Sequence, residues 1–487
     1  MDFIERIKEK AKNSPERIAV IDGNKQISYA DLLILVNTIS NHLVPKSKVL
    51  IDMKQCVESY ALIIAVLNVG GTYCPLNPDA PSERKRQIIK EFAPDLIIVD
   101  SKETNFDIKS CTILTISNLL STKSNKEIYL THNGDDIIYI IYTSGSSGVS
   151  KGVQICRKAL NKFLEWSIPT YGATENDIWG QFSLLSFDLS IVDIFTCLCS
   201  GATLFVIGDI TAKTYRPDRI IESAKITIWH SVPSTIEFMI SNNRHKNCDF
   251  SSLKLMSFCG DTLKKYQVEF LFKKNNNLRI FNTYGPTEGT LFCTWQELKI
   301  NNYLNFANYS MSIGKAIPGW NLQLNSVEGF DDKEITIYGE FIGKGYLAPV
   351  ANNKFRTIWL GNDEIEAFDT GDIVKEIDGN LYFICRKDNQ VKLKGFRVEL
   401  DEVDFRIYEF LNLTSVTIVN NGTLYSFIES DQEINTSELR EYLKTVLESY
   451  KIPHSFYSIP EIPKNQNQKF DISALKSILN EKKAKTS

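Results

Sequence analysis

Short apolar runs bounded by polar residues alternate with longer segments whose apolar positions follow a helical spacing. KVLIDM from Lys48 and DLIIVD from Asp95 are typical of buried parallel strands, whereas residues 28–43 have the helical pattern. The same alternation returns at 203–209, 226–234 and 253–261. The pattern therefore predicts an α/β fold with a large region of mostly parallel sheets flanked by helices.

The pattern changes twice towards the C-terminus. From about residue 311 to 385 the chain has short strand-like runs separated by glycine-containing turns, which predicts a β-rich subdomain. After it comes a separate series of helix, strand, strand and helix, followed by an irregular tail. We predict a large N-terminal domain over 1–386 and a small, mobile α+β domain over 387–487.

Composition and charge narrow the classes of partner. The chain has 487 residues, 43% hydrophobic and 23% charged, and its formal charge is -4, so no overall basic field attracts nucleic acid. The N-terminus is charged, and no apolar stretch approaches the ~18 residues needed to cross a bilayer. The 10 cysteines contain no CxxC pair, so zinc and dithiol chemistry are disfavoured. We expect a cytoplasmic protein without membrane insertion and without a nucleic-acid partner.

The segment IIYIIYTSGSSGVSKGV at 137–153 carries the strongest local signal. An apolar strand runs into a loop of Thr, Ser and Gly that ends in Lys151, and such a loop offers backbone N–H groups, hydroxyls and one cation to a phosphate chain. It is not a P-loop, because the GxxxxGK[ST] spacing fails. A plain surface loop is the alternative for a short Gly/Ser run.

Further motifs in a fixed order give this loop a context. They are ISYADL at 27, NVGGTYCPLNPDAP at 68, NTYGPTE at 282, TGD at 370, RKDNQVKLKGFRVELDEV at 386 and NQKFD at 467. Together with the loop they resemble the adenylate-forming superfamily of acyl-CoA synthetases, luciferases and nonribosomal-peptide adenylation domains. The resemblance implies a large and a small domain joined by a hinge, and activation of a carboxylate with ATP and Mg2+.

The resemblance also implies which residues bind the nucleotide. Tyr284 corresponds to the ring that stacks on adenine, Asp372 to the carboxylate that grips the ribose hydroxyls, and Glu288 to the magnesium ligand, for which a hard oxygen is suited. Outside its motif, Glu288 would be an ordinary solvated residue. The full set expected at ATP or AMP is Thr143, Ser144, Gly145, Lys151, Gly260, Asp261, Asn282, Tyr284, Gly285, Thr287, Asp372, Phe383 and Arg386.

Two lysines and a hinge residue complete the implied catalytic set. Lys469 matches the lysine that bridges the substrate carboxylate and ATP oxygens, and Lys392 matches the lysine that replaces it for thioester formation. Asp388 matches the hinge about which the small domain turns. The chain departs from the family pattern at Gln468 and at Cys385, where the family has glycine.

The motif SFDLSIVDIF at 186–195 indicates which carboxylate is activated. In the amino-acid-activating branch the aspartate at the place of Asp188 pairs with the substrate α-ammonium, as a buried acid needs a cation. A helix N-cap is the structural alternative for Asp188. The substrate residues implied by the same alignment are Asp188, Leu189, Val192, His230, Ser257, Cys259, Thr283, Leu291 and Phe292.

Within that branch the motifs are most similar to D-alanine carrier-protein ligases. In them a cysteine at the place of Cys259 crowds the substrate α-carbon, whereas His230 replaces a small apolar residue and can either bind a hydroxyl or pack. L-Ala, Ser or Pro therefore remain alternative substrates. With 18 residues after Lys469, the acceptor is expected to be a separate phosphopantetheinylated carrier protein.

Two other functions compete with this interpretation. An acyl- or aryl-CoA ligase would share the nucleotide motifs, but Asp188 disfavours it. A non-catalytic nucleotide or amino-acid binding protein is favoured slightly by Gln468 and Cys385, and retention of both Lys392 and Lys469 disfavours it.

Overall fold

The computed structural model describes most of the chain. The described residues are 1–101, 111–121, 124, 126–128, 130–143, 150–208, 216–241, 248–350, 353–388, 390–393, 395–464 and 470–484.

The strands of this part of the chain fall into separate sheets. In chain order they are β1 (Ile18–Asp22), β2 (Lys25–Ser28), β3 (Lys48–Asp52), β4 (Thr72–Pro75), β5 (Leu96–Val99), β6 (Thr112–Thr115), β7 (Ile137–Thr143), β8 (Lys151–Cys156), β9 (Ile178–Gln181), β10 (Thr203–Val206), β11 (Ile228–Ser231), β12 (Leu255–Phe258), β13 (Arg279–Tyr284), β14 (Thr294–Leu298), β15 (Lys315–Ala316), β16 (Trp320–Ser326), β17 (Lys333–Gly339), β18 (Phe355–Leu360), β19 (Asp363–Ile377), β20 (Asn380–Arg386), β21 (Gln390–Leu393), β22 (Phe396–Glu399), β23 (Ser415–Asn420), β24 (Thr423–Glu429) and β25 (Ser455–Ile459).

The helices cover and connect these strands. They are α1 (Phe3–Asn13), α2 (Tyr29–Ser40), α3 (Val57–Asn68), α4 (Ser82–Phe92), α5 (Ile116–Leu119), α6 (Arg157–Tyr171), α7 (Leu189–Ile191), α8 (Cys197–Ser200), α9 (Pro217–Ser223), α10 (Ser234–Ser241), α11 (Lys265–Lys274), α12 (Leu400–Leu411), α13 (Thr436–Val446) and α14 (Ile472–Ala484). A π-helical turn, Val192–Thr196, joins α7 to α8, and 3-10 turns span Thr287–Gly289, Tyr303–Phe306 and Ser449–Lys451. No helix of the described residues is both long and apolar enough to cross a membrane.

Two large sheets carry most of the predicted α/β region. One has nine strands in the order β15, β14, β13, β12, β11, β9, β10, β1, β2, and the other has six in the order β6, β5, β3, β4, β7, β8. The strands from β13 to β1 in the first sheet are parallel, and β14, β15 and β2 are antiparallel additions at its edges. The carboxyl ends of β11, β12 and β13 therefore meet at one edge, where ligand sites of parallel sheets are usually found.

Local sequence signals explain several of these elements. The predicted helix at 28–43 is confirmed as α2, which begins where the Ser28 side chain accepts a hydrogen bond from the Asp31 backbone in a capping box. The predicted β-rich subdomain is a five-stranded antiparallel sheet in the order β16, β17, β19, β18, with β20 beside β19.

The chain divides into two compact units. The large unit comprises 1–78, 91–142 and 152–385, and the small unit comprises 79–90, 143–151 and 386–487. Each has its own hydrophobic clusters, around Trp179 and Phe281 in one and Phe427 and Leu443 in the other among their buried side chains. The small unit also holds two segments, 79–90 and 143–151, that lie far earlier in the sequence. The predicted boundary at 386/387 stays a prediction.

The prediction of an irregular tail is wrong. Ser455–Ile459 forms β25, which pairs in parallel with β24, and α14 follows it. A side-chain cap marks the start of α14. The Asp471 carboxylate accepts hydrogen bonds from the backbone N–H groups of Ser473 and Ala474. Leu475 and Leu479, one helical turn apart, are buried in the small unit.

Candidate functional site

Tyr284 and Asp372 meet inside the large unit. Tyr284 is the last residue of β13, and its hydroxyl donates a hydrogen bond of 2.6 Å to Oδ2 of Asp372 on β19. Both residues are buried. Burial raises the pKa of Tyr284 well above its usual range and the Asp372 charge adds to the shift, so the phenol stays a proton donor. The structure thus brings together two residues predicted to bind the nucleoside.

The residues before Tyr284 are held by backbone carbonyl groups. The Asn282 amide donates to the carbonyl oxygens of Met311 and Ser312, at 3.3 and 2.8 Å. The Thr283 hydroxyl donates to the carbonyl oxygen of Phe258 on the neighbouring strand, at 2.8 Å. These bonds fix the end of β13 and so the position of the Tyr284 ring.

The turn after β13 leaves no room for a side chain at Gly285. A Cβ atom there would lie 2.3 Å from the Leu291 carbonyl oxygen and 2.8 Å from the Phe292 Cα atom. Thr290 and Leu291 both have positive φ angles, 46° and 79°, a conformation that costs non-glycine residues free energy. A strained loop is thus packed directly against the end of β13.

Glu288 lies in the 3-10 turn Thr287–Gly289, and its side chain is fully buried. Its Oε1 accepts a hydrogen bond of 2.8 Å from the hydroxyl of Tyr346. Within the described ranges no group of three or more His, Cys, Asp and Glu residues is arranged to hold a metal ion. A metal held here would therefore have to take further ligands from water or from a bound phosphate group.

Asp188 directly precedes α7, but its side chain makes no capping hydrogen bond. Asp188 thus occupies the N-cap position predicted by the structural alternative, but without the side-chain hydrogen bond by which an aspartate stabilises a helix start. The carboxylate lies close enough to Tyr139 of β7 to contribute, after burial, to the raised pKa of that phenol. Leu189 and Val192 follow on α7 and the π-helical turn, and Val192 is fully buried.

Asp193, in the same π-helical turn, holds several groups in the core. Its Oδ1 accepts a hydrogen bond from the Trp179 indole at 3.0 Å, and its Oδ2 accepts one from the Phe182 backbone at 3.3 Å. The Nδ1 atom of His230 lies 3.3 Å from Oδ1. A π-helical turn displaces one residue from the ordinary helical register and is often found at functional sites.

His230 is fully buried at the carboxyl end of β11. Its ring meets that of Phe292 edge to face, with centroids 5.5 Å apart, and in the sheet it is opposite Ser257. Among the described residues neither ring nitrogen has a hydrogen-bond partner of acceptable geometry, although Nδ1 is near Asp193. Three of the predicted substrate residues are thus neighbours.

Two further substrate candidates lie on or just after β12. The Ser257 hydroxyl is 2.9 Å from that of Tyr171 at the end of α6. Cys259 is buried, and its backbone N–H donates to the Ser231 carbonyl oxygen at 3.2 Å. The next residues are Gly260, with a φ of +86°, and Asp261, whose Oδ1 accepts from the Thr262 backbone. The ends of β11 and β12 are therefore tied together where the predicted pocket lies.

The small unit contains several further candidates. The Arg386 guanidinium makes a two-point ion pair with Asp388, at 2.7 and 2.9 Å. Lys392 is on the two-stranded β21–β22 hairpin opposite Arg397. Lys151 is buried and is among the cations that offset the effect of burial, which raises the pKa of Glu399. The predicted hinge residue is thus paired with a residue predicted to contact ATP.

For two other predicted residues, the structure gives the strand and the degree of burial. Thr143 is buried at the end of β7, and Phe383 is partly buried in β20. Ser144, Gly145 and Lys469 lie outside the described residues. Their roles remain predictions.

Sequence reasoning missed Asp193, Tyr171 and Tyr346. Asp193 lies five residues after Asp188, a spacing that an ordinary α-helix does not place on one face, so the π-helical turn concealed it. Tyr171 and Tyr346 carry no motif, and only the fold brings their hydroxyls to Ser257 and Glu288.

Comparisons with known proteins identify the family of the chain. The sequence model of the family described as AMP-binding enzyme matches residues 7–347. A D-alanine--D-alanyl carrier protein ligase of Staphylococcus haemolyticus is 30% identical over 96% of this chain and 98% of its own. Gramicidin S synthase 2 of Brevibacillus brevis is 28% identical over 97% of this chain, which corresponds to 11% of that much longer protein.

A solved structure is similar over nearly the whole chain. The adenylation domain AlmE of Vibrio cholerae, in complex with glycyl-adenosine-5'-phosphate, has a TM-score of 0.85 and 24% identity over 98% of each chain. This likeness shows the fold and confirms the predicted α/β class.

Proposed function

Because this chain belongs to the AMP-binding enzyme family, we propose that it is an ATP-dependent ligase that activates a small amino acid and transfers it to a carrier protein. The amino acid is converted to an aminoacyl adenylate, and the phosphopantetheine thiol of a carrier on a separate chain accepts the aminoacyl group. The name of the staphylococcal relative, which has nearly the same length, supports a carrier acceptor and makes D-alanine the first candidate substrate.

The position of Asp188 carries the proposal. Its carboxylate is not used as a helix cap, and it precedes a buried helical segment at the substrate residues. A carboxylate in such surroundings is stabilised by a cation, and the α-ammonium group of an amino acid is a suitable one. A fatty or aryl acid offers no such charge.

The nucleotide part rests on Tyr284 and Asp372. Their mutual hydrogen bond presents an aromatic ring and a carboxylate side by side, which suits an adenine base and ribose hydroxyls. Glu288 is suited to contact Mg2+, which when bound neutralises charge on the phosphate oxygens. Thr143, Ser144, Gly145 and Lys151 would bind phosphates with backbone N–H groups, hydroxyls and one cation.

The chemistry has two steps. In the first, a carboxylate oxygen of the amino acid attacks the α-phosphorus of ATP and pyrophosphate leaves, while Lys469 neutralises charge on the reacting oxygens. In the second, the carrier thiolate attacks the adenylate carbonyl carbon and AMP leaves, with Lys392 in place of Lys469. Exchange of the two lysines requires the small domain to turn about Asp388.

The test is amino-acid-dependent exchange of pyrophosphate into ATP, with D-Ala, L-Ala, Gly, Ser and Pro and with fatty and aryl acids. Exchange with at least one amino acid and none with the other acids is expected. Exchange driven only by fatty or aryl acids would instead identify an acyl- or aryl-CoA ligase. Tight ATP binding without any exchange would identify a binding protein.

A second candidate function is a stand-alone nonribosomal-peptide adenylation enzyme for another small amino acid. His230 favours it, because within the described residues its buried imidazole has no hydrogen bond of acceptable geometry, although Nδ1 is near Asp193, and such a ring suits a polar substrate side chain better than a methyl group. Preference for Ser over D-Ala in the exchange assay would select this candidate.

A further inference from the structure

The two ring nitrogens of His230 have different surroundings inside the large unit. Nδ1 lies 3.3 Å from Oδ1 of Asp193, whereas Nε2 has no hydrogen-bond partner within the described residues. Both side chains are fully shielded from solvent. A buried polar atom without a partner costs free energy, so such an atom in a folded protein calls for an explanation. A ligand group that hydrogen-bonds Nε2 is one.

The Asp193 carboxylate is held in place by groups other than the imidazole. Its Oδ1 accepts a hydrogen bond of 3.0 Å from the Trp179 indole on β9. Its Oδ2 accepts hydrogen bonds from the backbone N–H groups of Phe182 and Ser183, at 3.3 and 3.5 Å. Hydrogen bonds from several N–H groups stabilise a carboxylate in a buried place. Asp193 is therefore a fixed point beside the imidazole.

Other polar substrate candidates of the neighbouring strands are already paired within the protein. Ser257 is opposite His230 in the paired strands β12 and β11, and its hydroxyl is 2.9 Å from that of Tyr171. The Thr283 hydroxyl donates to the Phe258 carbonyl oxygen at 2.8 Å. These two hydroxyls thus have partners, whereas among the described residues Nε2 has none.

The distance to Asp193 indicates which ring nitrogen carries the proton. A lone pair on Nδ1 would repel the carboxylate oxygen 3.3 Å away, whereas an Nδ1–H group is attracted to it. A buried carboxylate fixes the imidazole tautomer of the Ser-His-Asp triad in the same way. Nε2 is then the ring atom left for a ligand. A hydroxyl group is suited to it, because a hydroxyl can both donate and accept a hydrogen bond.

We propose that Asp193 is a positioning residue that holds the His230 imidazole with its Nδ1 proton towards the carboxylate, so that Nε2 hydrogen-bonds a hydroxyl group of the amino acid substrate. The inference rests on the proposed function and gives its second candidate a substrate class, small amino acids with a hydroxyl side chain. A methyl group at the same place leaves Nε2 without a partner, which favours the hydroxyl. Asp193 thereby influences specificity without contacting the substrate.

Full-length variants separate this role from simple packing. Asp193→Asn keeps the size of the side chain but no longer fixes the ring proton, since an amide offers either an acceptor or a donor. Asp177→Asn is the matched control, because Asp177 is also buried in the large unit and accepts hydrogen bonds from Thr227 and Lys254, at 2.8 and 2.7 Å. A third protein combines Asp193→Asn with His230→Val.

The first measurement is a specificity ratio, kcat/KM for pyrophosphate exchange with Ser divided by that with Ala of the same configuration. Asp193→Asn is expected to lower this ratio about five-fold. Asp177→Asn is expected to leave the ratio unchanged even where it lowers the Tm. In the His230→Val background, Asp193→Asn is also expected to leave it unchanged, because a residue that acts through the imidazole has no effect without it.

The second measurement observes the ring nitrogens by NMR of protein whose histidines carry labelled nitrogen. The chain has 5 histidines, and the signals lost in His230→Val identify those of His230. In the unaltered chain Nδ1 is expected to carry the proton, and in Asp193→Asn the proton is expected to be shared between both nitrogens. The sulfamoyl analogue of seryl adenylate is expected to shift the Nε2 signal, and the alanyl analogue to leave it in place.

An equal fall of exchange with Ser and with Ala in Asp193→Asn would overturn the inference, and so would the same fall of the ratio with and without His230. Exchange with Ala but not with Ser, or a proton on Nε2 in the unaltered chain, would also overturn it, and neither result requires a variant to fold. The failure of the proposed function is distinguishable. If the unaltered chain activates no amino acid, the function fails, while the NMR spectrum still reports whether Asp193 fixes the ring proton.

Discussion

The large and small units hold their predicted functional residues by different means. In the large unit, Asn282 and Thr283 donate to backbone carbonyl groups at the end of a strand inside a nine-stranded sheet. In the small unit, Arg386 and Asp388 are held by an ion pair, and Lys392 is on a two-stranded hairpin. The large unit should therefore be sensitive to changes of shape, and the small unit to changes of charge.

The largest effect is expected at the two lysines and Asp372. Lys469→Ala should lower adenylate formation about 100- to 1,000-fold and spare carrier loading from supplied adenylate, with the reverse for Lys392→Ala. Asp372→Ala should lower both half-reactions, because both use the bound nucleoside. Single-turnover assays of each half-reaction make the measurement. If either lysine variant loses both half-reactions equally, exchange of lysines is wrong.

The shape of the loop after β13 provides the next test. Gly285→Ala places a Cβ atom against the Leu291 carbonyl oxygen and should shift Tyr284, lowering pyrophosphate exchange about 100-fold. Gly208→Ala is the control, since no atom of the described part of the chain lies within 4 Å of a Cβ there. Full activity of Gly285→Ala with a wild-type Tm would show that the loop adapts.

The sequence predicted the α/β class, because buried parallel strands such as β3 and β5 leave an unmistakable apolar pattern. It also named Tyr284 and Asp372 as candidates for one site, since each is part of a recognisable motif, and their role in binding the nucleoside stays a prediction. It did not predict the bond between them, the contacts of Asp193 or the buried ion pairs of Arg84 with Glu402 and Glu448, because these depend on residues distant in sequence. Glu402 and Arg84, for example, have no relation until the chain folds.

A smaller effect is expected at His230. His230→Val removes the imidazole beside Asp193 and makes the pocket apolar, so it should change the ratio of exchange with D-Ala to exchange with Ser about ten-fold in favour of D-Ala. His454→Val, at an exposed position of the small unit, is the control. An unchanged ratio with lowered Tm would mean that His230 only packs in the core.

The smallest effect concerns stability and tests whether charge dominates in the small unit. The Asp404 carboxylate accepts hydrogen bonds from Ser415 and Thr417, and although part of the residue reaches solvent, burial of the carboxyl group raises its pKa from 3.8 to about 6. Since the folded pKa lies above the unfolded one, the ionised form costs stability above pH 6. As the pH falls from 7 towards 4.5, the Asp404 carboxyl group is protonated in the folded chain before it is in the unfolded chain. The free energy of unfolding therefore rises over this range.

Asp404→Asn should remove this pH dependence. Between pH 4.5 and 7.5, the variant's Tm should vary less than that of the parent by a few degrees, since any loss of stability from protonation of Glu448 in the unfolded chain near pH 4.5 is common to both proteins. The exposed Asp431→Asn serves as the control. A parent and an Asp404→Asn variant with parallel Tm profiles would mean that the hydrogen bonds from Ser415 and Thr417 compensate fully for burial, so that shape rather than charge decides stability in the small unit as well.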